Sequence, residues 1–541
     1  MALDNKGRRH RDLFAVLWSA VFLFRLWFIS SVPLSGDEVY HWEWSRHLAF
    51  GYYDHPGLTA YLIRLSTWLL GGSTEFSVRL PALLMLSGAS LVGFALARDI
   101  TLHSGAARQV ADKAGLLAGS LLLIAPIYAV FGVYISTDPP VICFWVLSLY
   151  AFYRALWGGG WWSWIGAGAA FGLAMLSKFL AFPLVPAMAA FVLMSKEHRR
   201  WLASPRPYVA GLVALAVFSP LLWWNATHEW ATFMFNFVYR QESRSLAPQY
   251  AVEFVLAQAV ALSPGIWAFA MAGLVWAFRD WRSGRNAASL YLGLSCALPF
   301  AYFFYTSLQR RIGLHWPAPV WTGMLVYLAV RWAPLADLPE RAREWKWARR
   351  AIGLAAVILV AASAVIHLPP SVFTREWRYR GAPVRINSRM HSERFGWREL
   401  GERVDEVTRK MAAAQKGAPR GVFLITGQYG LSSAVSFYAP GQPYAHLWAP
   451  RRTHGENYRF WDRFEELKDQ DAIYVSKKED NVREALPKLR EHFKSVEEPE
   501  RLPVLVNGRE VRAFFLIRCR GFNGVAPAWP ERATPGTKPR P

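Results

Sequence analysis

The chain has 541 residues, 53% of them hydrophobic, with 27 Trp, three Cys and a formal net charge of +22. Several runs of about twenty residues hold almost no charge, the length that crosses a bilayer, which excludes a soluble globular protein and points to an integral membrane protein with a separate polar C-terminal part. The positive excess falls largely in short loops between apolar runs, where membrane orientation rather than nucleic acid accounts for it, and Cys143, Cys296 and Cys519 offer neither a disulfide framework nor a zinc spacing.

The chain opens with "KGRRHRD" and turns apolar at Leu13; no small-residue cleavage site follows, so this is read as an uncleaved first span. Further spans are expected near 76–97, 114–134, 139–157, 162–177, 179–195, 207–224, 251–278, 287–305, 317–333 and 351–368, which with 13–34 makes about eleven. Basic loops at 196–200, 279–285 and 341–350 join the N-terminus on the cytoplasmic side. The first outer loop, 35–75, and everything after Leu368 then lie outside, periplasmic in a Gram-negative cell. Within that loop "LTAYLIRLSTWLL" is apolar but short and carries Arg64, so it is expected to lie in the outer interface. A C-terminal α/β domain over 369–525 follows from strands at 421–427 and 471–478 around a helix at 430–439, and a disordered Pro-rich tail from 526–541.

Ionisable groups on the outer side are the functional candidates, because charge at a membrane span is costly. Asp37 and Glu38 follow the first span; one carboxylate suits a general base, or the pair caps the helix "EVYHWEWSRHL". Tyr40, Trp42, Trp44, Tyr52 and Tyr53 line a sugar site or sit at headgroup level, with Asp54 and His55 beside them in a turn ending at Pro56. Arg25, inside the first span, either snorkels outward or pairs with the first loop. Arg79 opens the second span. Asp138 precedes Pro139 and reads first as a helix cap that also faces a site. Lys178 interrupts an apolar stretch, and Arg310 and Arg311 share an outer loop with His315 and Trp316. Paired guanidinium groups suit phosphate oxygens, or a lipid headgroup. "NAT" at 225–227 matches a glycosylation acceptor but is too short to carry weight.

"GDEVYHWEWSRHLAFGYYDHPGL", "FSVRLPALL", "STDPPVICFWVLSLYAFYRAL", "GLAMLSKFLAFPLV" and "RRIGLHWPAPVW" occur in an order and spacing that resembles bacterial GT-C glycosyltransferases. The nearest subset holds lipid A aminoarabinose and galacturonic acid transferases and relatives of protein O-mannosyltransferases, and the likeness covers roughly residues 13–335. It implies a multi-pass inner-membrane enzyme that passes a sugar from a polyprenyl-phosphate carrier to an outer acceptor, with inversion. Asp37 would be the leading catalytic acid beside Glu38, and Lys178 with Arg310 or Arg311, and Arg79, would hold the carrier phosphate. Tyr52, Tyr53, Asp54, His55, Asp138, His315 and Trp316 complete the expected substrate pocket. Some relatives have Lys-Pro where this chain has His55–Pro56, which argues against a strict aminoarabinose transferase, and the α/β domain tilts the expected acceptor toward lipid A, lipopolysaccharide or another envelope glycan. The expected partners are the donor, a lipid or glycan acceptor and membrane lipids, with no nucleic acid and a monomeric state. No cofactor or metal is required, although the first-loop acids have the chemistry to take a divalent cation. The competing classes are a protein O-glycosyltransferase, a flippase of lipid-linked sugars and a polysaccharide polymerase.

Overall fold

The computed structural model describes residues 2–238, 246–284, 286–367, 376–379, 382–385, 393–415, 421–448 and 456–527. The expected tail beyond 527 and most of the outer loop at 236–244 lie outside them.

Helix α1 (Ala2–Ser31) leads into the short α2 (Gly36–Arg46), whose start is fixed by a capping box: the Ser35 hydroxyl accepts from the Glu38 amide, and the Glu38 carboxylate accepts from the Ser35 amide. Helix α3 (Leu58–Leu69) has 12 residues, about 18 Å, too short to cross a bilayer. It buries Thr59, Ala60 and Ile63 and exposes Tyr61, Leu65, Trp68 and Leu69. Helices α4 (Glu75–His103), α5 (Arg108–Ile124), α6 (Pro126–Phe131), α7 (Asp138–Gly158), α8 (Trp161–Ser177), α9 (Leu184–Met194) and α10 (Arg206–Thr227) follow. The rest of the helical body is α11 (Ala231–Phe237), α12 (Pro248–Leu262), α13 (Pro264–Arg282), α14 (Ala287–Ser307), α15 (Ala318–Trp332) and α16 (Ala342–His367).

Among the described residues six helices are long and apolar enough to cross a membrane, or seven if the pair α12 and α13 counts as one, against the eleven or so read from sequence. The shortfall has local causes. Pro126 ends α5 early, and Arg25 of α1 donates to the freed carbonyl of Leu123 (2.6 Å), so this arginine neither snorkels nor pairs with the first loop. The expected span 251–278 is broken at Ser263, which has φ 78° ahead of Pro264, and its halves meet at 113°. Helices α8 and α15 have 17 and 15 residues. Close packing depends on small residues: a Cβ on Gly168 of α8 would lie 2.2 Å from the carbonyl oxygen of Ala210 in α10. "NAT" is also explained, because Asn225 is buried and its side-chain oxygen accepts from the Thr232 amide (3.1 Å), tying α10 to α11.

The C-terminal part contains a hairpin of β1 (Glu376–Tyr379) and β2 (Ala382–Arg385), then α17 (Trp397–Ala413), β3 (Val422–Thr426), α18 (Tyr429–Tyr438), β4 (Ala445–Leu447) and β5 (Asp471–Ser476). Helix α19 (Glu479–His492) and strands β6 (Phe493–Val496), β7 (Glu500–Val506) and β8 (Arg509–Phe522) complete it. The sheet runs β4-β3-β5-β8-β6, with β7 also on β8; β3 is parallel to β4 and β5, and β8 is antiparallel to β5. The apolar runs of β3 and β5 occupy its middle, where both faces are covered. This α/β unit is seated on the segment that links α1 to α4. Leu34, Val39 and Trp42 share a core with Leu400, Leu431 and Val435, and the Leu34 amide donates to the Tyr438 hydroxyl (2.7 Å). The starts of α2 and α18 meet at two glycines: a Cβ on Gly430 would stand 3.4 Å from the Gly36 Cα.

Candidate active site

Asp37 and Glu38 are neighbours in sequence but about 100° apart around α2, so they face different surroundings. Glu38 turns inward, with 1% of its surface exposed. Its Oε1 accepts from Arg79 Nε (2.7 Å) and the Ile135 amide (3.2 Å), and its Oε2 from Arg79 Nη2 (2.7 Å). The remaining Arg79 donors go to the carbonyls of Ile29 (3.2 Å), Val32 and Pro33 (2.9 Å). Both charged groups are consumed in joining α1, α2, α4 and the segment before α7. Neither lines the cavity described next, which corrects the expected catalytic place of Glu38 and the expected phosphate contact of Arg79.

Asp37 faces a cavity of about 1790 Å³. One end is polar and is lined by Asp37, Tyr40, His41, Trp44, Asp54, His55, Tyr134, Asp138, Lys178, Arg310, His315, Trp316 and Tyr429. From there the wall follows one face of α8 from Lys178 back to Trp164, through Met175, Phe171 and Gly168. The fourteen residue steps from Trp164 to Lys178 rise about 21 Å, most of the hydrocarbon thickness of a bilayer. Helix α10, packed directly against α8, continues the lining with Tyr208, Gly211, Leu215, Phe218 and Leu222 at helical spacing.

The cations at the polar end are placed by breaks in helices. α8 ends at Lys178, whose backbone is extended and whose buried ammonium reaches Asp138 Oδ1 (2.8 Å). Asp138 is the first residue of α7; its Oδ2 accepts from the Ser136 hydroxyl (3.2 Å) and lies 3.8 Å from His315 Nε2. Lys178 carries three donors, so the pair leaves protons for a further acceptor. Arg310 lies after the end of α14 with its guanidinium 5.9 Å from the Trp316 ring centre, and burial draws its pKa down from the usual arginine value. Arg311 points elsewhere: it is largely exposed, ion-paired with Glu253 (2.8 Å) and absent from the cavity wall.

The acids are held just as specifically. Asp37 Oδ1 accepts from the Tyr429 hydroxyl (3.1 Å), and its backbone carbonyl accepts from His41 Nδ1 (2.6 Å). A carbonyl only accepts, so Nδ1 carries the proton and Nε2 of the neutral ring is an acceptor. Burial pushes the His41 pKa below the ordinary imidazole value. Burial, followed by the charge of Asp37, pushes the Tyr429 pKa up, so its hydroxyl remains a donor. Asp54 Oδ1 accepts from Asn457 Nδ2 (3.0 Å), which also reaches the Tyr40 hydroxyl (2.6 Å), while Asn236 donates to the Asp54 carbonyl (2.9 Å).

Thus Asp37, Asp54, His55, Asp138, Lys178, Arg310, His315 and Trp316 meet at one cavity, and Glu38, Arg79, Arg311, Tyr52 and Tyr53 do not line it. Tyr52 is stacked on Trp44 (4.6 Å) with its hydroxyl on the Trp44 carbonyl (2.9 Å), and Tyr53 packs against Trp224 and Phe235. Sequence reasoning missed His41, Tyr134, Asn236, Tyr429 and Asn457. His41 was recoverable, being one helical turn after Asp37; Tyr429 and Asn457 are about 400 residues away in sequence and carry no local mark.

The architecture matches that of ArnT from Cupriavidus metallidurans bound to undecaprenyl phosphate, with a TM-score of 0.59 and 17% identity over 96% of this chain and 99% of that one. The chain has a GT-C glycosyltransferase fold. This bears out the resemblance seen in the motifs. An oligosaccharyltransferase from Archaeoglobus fulgidus in the apo form has a TM-score of 0.50 and 14% identity over 87% of this chain and 69% of its own. The family profile described as dolichyl-phosphate-mannose-protein mannosyltransferase matches residues 54–224. A curated relative, the lipid A galacturonosyltransferase RgtD of Rhizobium johnstonii, is 30% identical over 193 residues, 36% of this chain and 38% of the relative. The match therefore spans about two fifths of RgtD, and it includes neither whole protein.

Proposed function

We propose that this GT-C chain transfers a sugar from a polyprenyl-phosphate carrier to an acceptor hydroxyl on the outer side of the membrane, with lipid A or a related envelope glycan as the acceptor. The observation that carries the reading is a single cavity that joins an acid, Asp37, and the cations Lys178 and Arg310 to an apolar groove about as long as half a lipid bilayer or more. Support also comes from the names of two similar proteins, one bound to undecaprenyl phosphate and one acting on lipid A.

In this mechanism the polyprenyl tail occupies the groove along α8 and α10, and the phosphate lies among Lys178, Arg310 and His315. Asp37 takes the proton of the acceptor hydroxyl as its oxygen bonds to the anomeric carbon. The bond from that carbon to the phosphate oxygen breaks on the opposite face, its electron pair leaves with the polyprenyl phosphate, and the configuration inverts. Fixed cations stabilise the charge that develops on the leaving group. No cofactor is required. The basic loops support a cytoplasmic N-terminus, with the site and the α/β unit outside.

Purified protein in detergent, given a polyprenyl-phosphate sugar and lipid A, is expected to yield lipid A heavier by one sugar, read by mass spectrometry. Movement of the donor across proteoliposomes with no new glycosidic bond would identify a flippase instead. The mannosyltransferase profile favours a second reading, a protein acceptor. Sugar appearing on serine or threonine of envelope proteins, with lipid A unchanged, would select it.

A further inference from the structure

The α/β unit reaches into the cavity itself. Its helix α18 begins at Tyr429, whose hydroxyl meets Asp37 Oδ1 at 3.1 Å and whose ring lies 4.6 Å from that of Tyr40. Three further contacts hold it there. Gly36 and Gly430 allow the starts of α2 and α18 to touch, the Leu34 amide donates to Tyr438 at the other end of α18 (2.7 Å), and Asn457 links Tyr40 and Asp54 to the same unit. The hydroxyl of Tyr429 is therefore delivered by a docked domain to one oxygen of an acid that otherwise stands at an exposed helix start.

We propose that Tyr429 is a positioning residue for Asp37, making the α/β domain a working part of the transfer site and not only a cover over it. The inference rests on Asp37 being the base of the proposed transfer. A carboxylate at the start of a short helix is free to turn about two side-chain torsions. The Tyr429 hydrogen bond occupies Oδ1 and fixes the plane of the group, so Oδ2 is the oxygen left to take the acceptor proton. Besides Tyr429, the groups facing Asp37 are His41 on its own helix, Tyr134, and beyond these Asp138 and Lys178.

The test is Tyr429→Phe, which removes only the hydroxyl and keeps the ring against Tyr40, assayed beside Asp37→Asn in the full-length protein. Tyr429→Phe is expected to lower kcat about tenfold with the donor KM changed less than about twofold. The melting temperature should be unchanged. Wild-type kcat in Tyr429→Phe, with Asp37→Asn inactive, would overturn the inference and leave the transfer reading standing. Full activity in Asp37→Asn would overturn the transfer reading itself. Should Tyr429→Phe lower the melting temperature, Asn457→Ala separates docking from positioning. It loosens the same interface without touching Asp37, so an identical fall in kcat with the same unchanged donor KM in Asn457→Ala would also overturn the inference.

Discussion

Replacing Arg79 by Ala should damage the fold and not the chemistry, although the sequence alone places this arginine among the groups that hold phosphate. Arg79 and Glu38 are 4% and 1% exposed, and the guanidinium makes two 2.7 Å contacts with the carboxylate besides its bonds to the end of α1. Arg79→Ala leaves a buried carboxylate with only the Ser35 and Ile135 amides, and three carbonyls lose a donor. Breaking a buried pair in this way costs about 3–5 kcal/mol. Glu38→Gln keeps the shape and an acceptor oxygen and should cost less, about 1–3 kcal/mol. Because the two residues touch, their effects should be non-additive by about 0.5–3 kcal/mol in a double-mutant cycle. The assay is thermal unfolding of the purified protein in detergent, paired with turnover per folded molecule. Glu38→Gln should lower the melting temperature and retain most turnover. A Glu38→Gln protein of wild-type stability that no longer transfers sugar would refute the division of labour between the two acids.

Arg310→Ala should raise the donor KM about tenfold or more, whereas Arg311→Ala, whose target points away from the cavity, should leave it within about twofold; equal effects in a donor titration would contradict the placement. Lys178→Ala should weaken binding of polyprenyl phosphate in detergent and also destabilise the fold, because Asp138 would lose its nearest cation while buried; Lys178→Ala/Asp138→Asn should regain stability without regaining binding. Burial lowers the His41 pKa, so as pH falls through the ordinary imidazole value of about 6.5 the unfolded chain takes up a proton before the folded one does, and stability declines. His41→Gln should flatten this part of the melting-temperature profile between about pH 5 and 7, and an unchanged slope would show that His41 is not held neutral.

The sequence was most informative where function forces an exception to a local rule. Acids beside an apolar span, a lysine at Lys178 within an apolar stretch and an arginine just past the end of an apolar helix are all costly there, and Asp37, Lys178 and Arg310 do meet at one cavity. The pattern of β3, α18 and β5 was equally legible, because buried strands and turn residues mark themselves. What could not be read was direction. Nothing in "DE" says that Asp37 turns to the cavity and Glu38 to Arg79, since that depends on where α4 packs. Likewise "RR" does not reveal that Arg311 is taken by Glu253, 58 residues earlier. The break within the expected span 251–278 was hidden for a related reason: hydropathy sees α12 and α13 as one run, and a single backbone break at Ser263 turns the chain through 113°.

The central claim is that Asp37 is the base in transfer from a polyprenyl-phosphate sugar. The most direct measurement compares wild type with Asp37→Asn, both purified and folded, by counting free polyprenyl phosphate and glycosylated lipid A from the same reaction. Wild type should release the two in equal amounts, while Asp37→Asn binds the donor with near wild-type affinity and releases about a thousandfold less of both. Undiminished, matched release by Asp37→Asn would contradict the account.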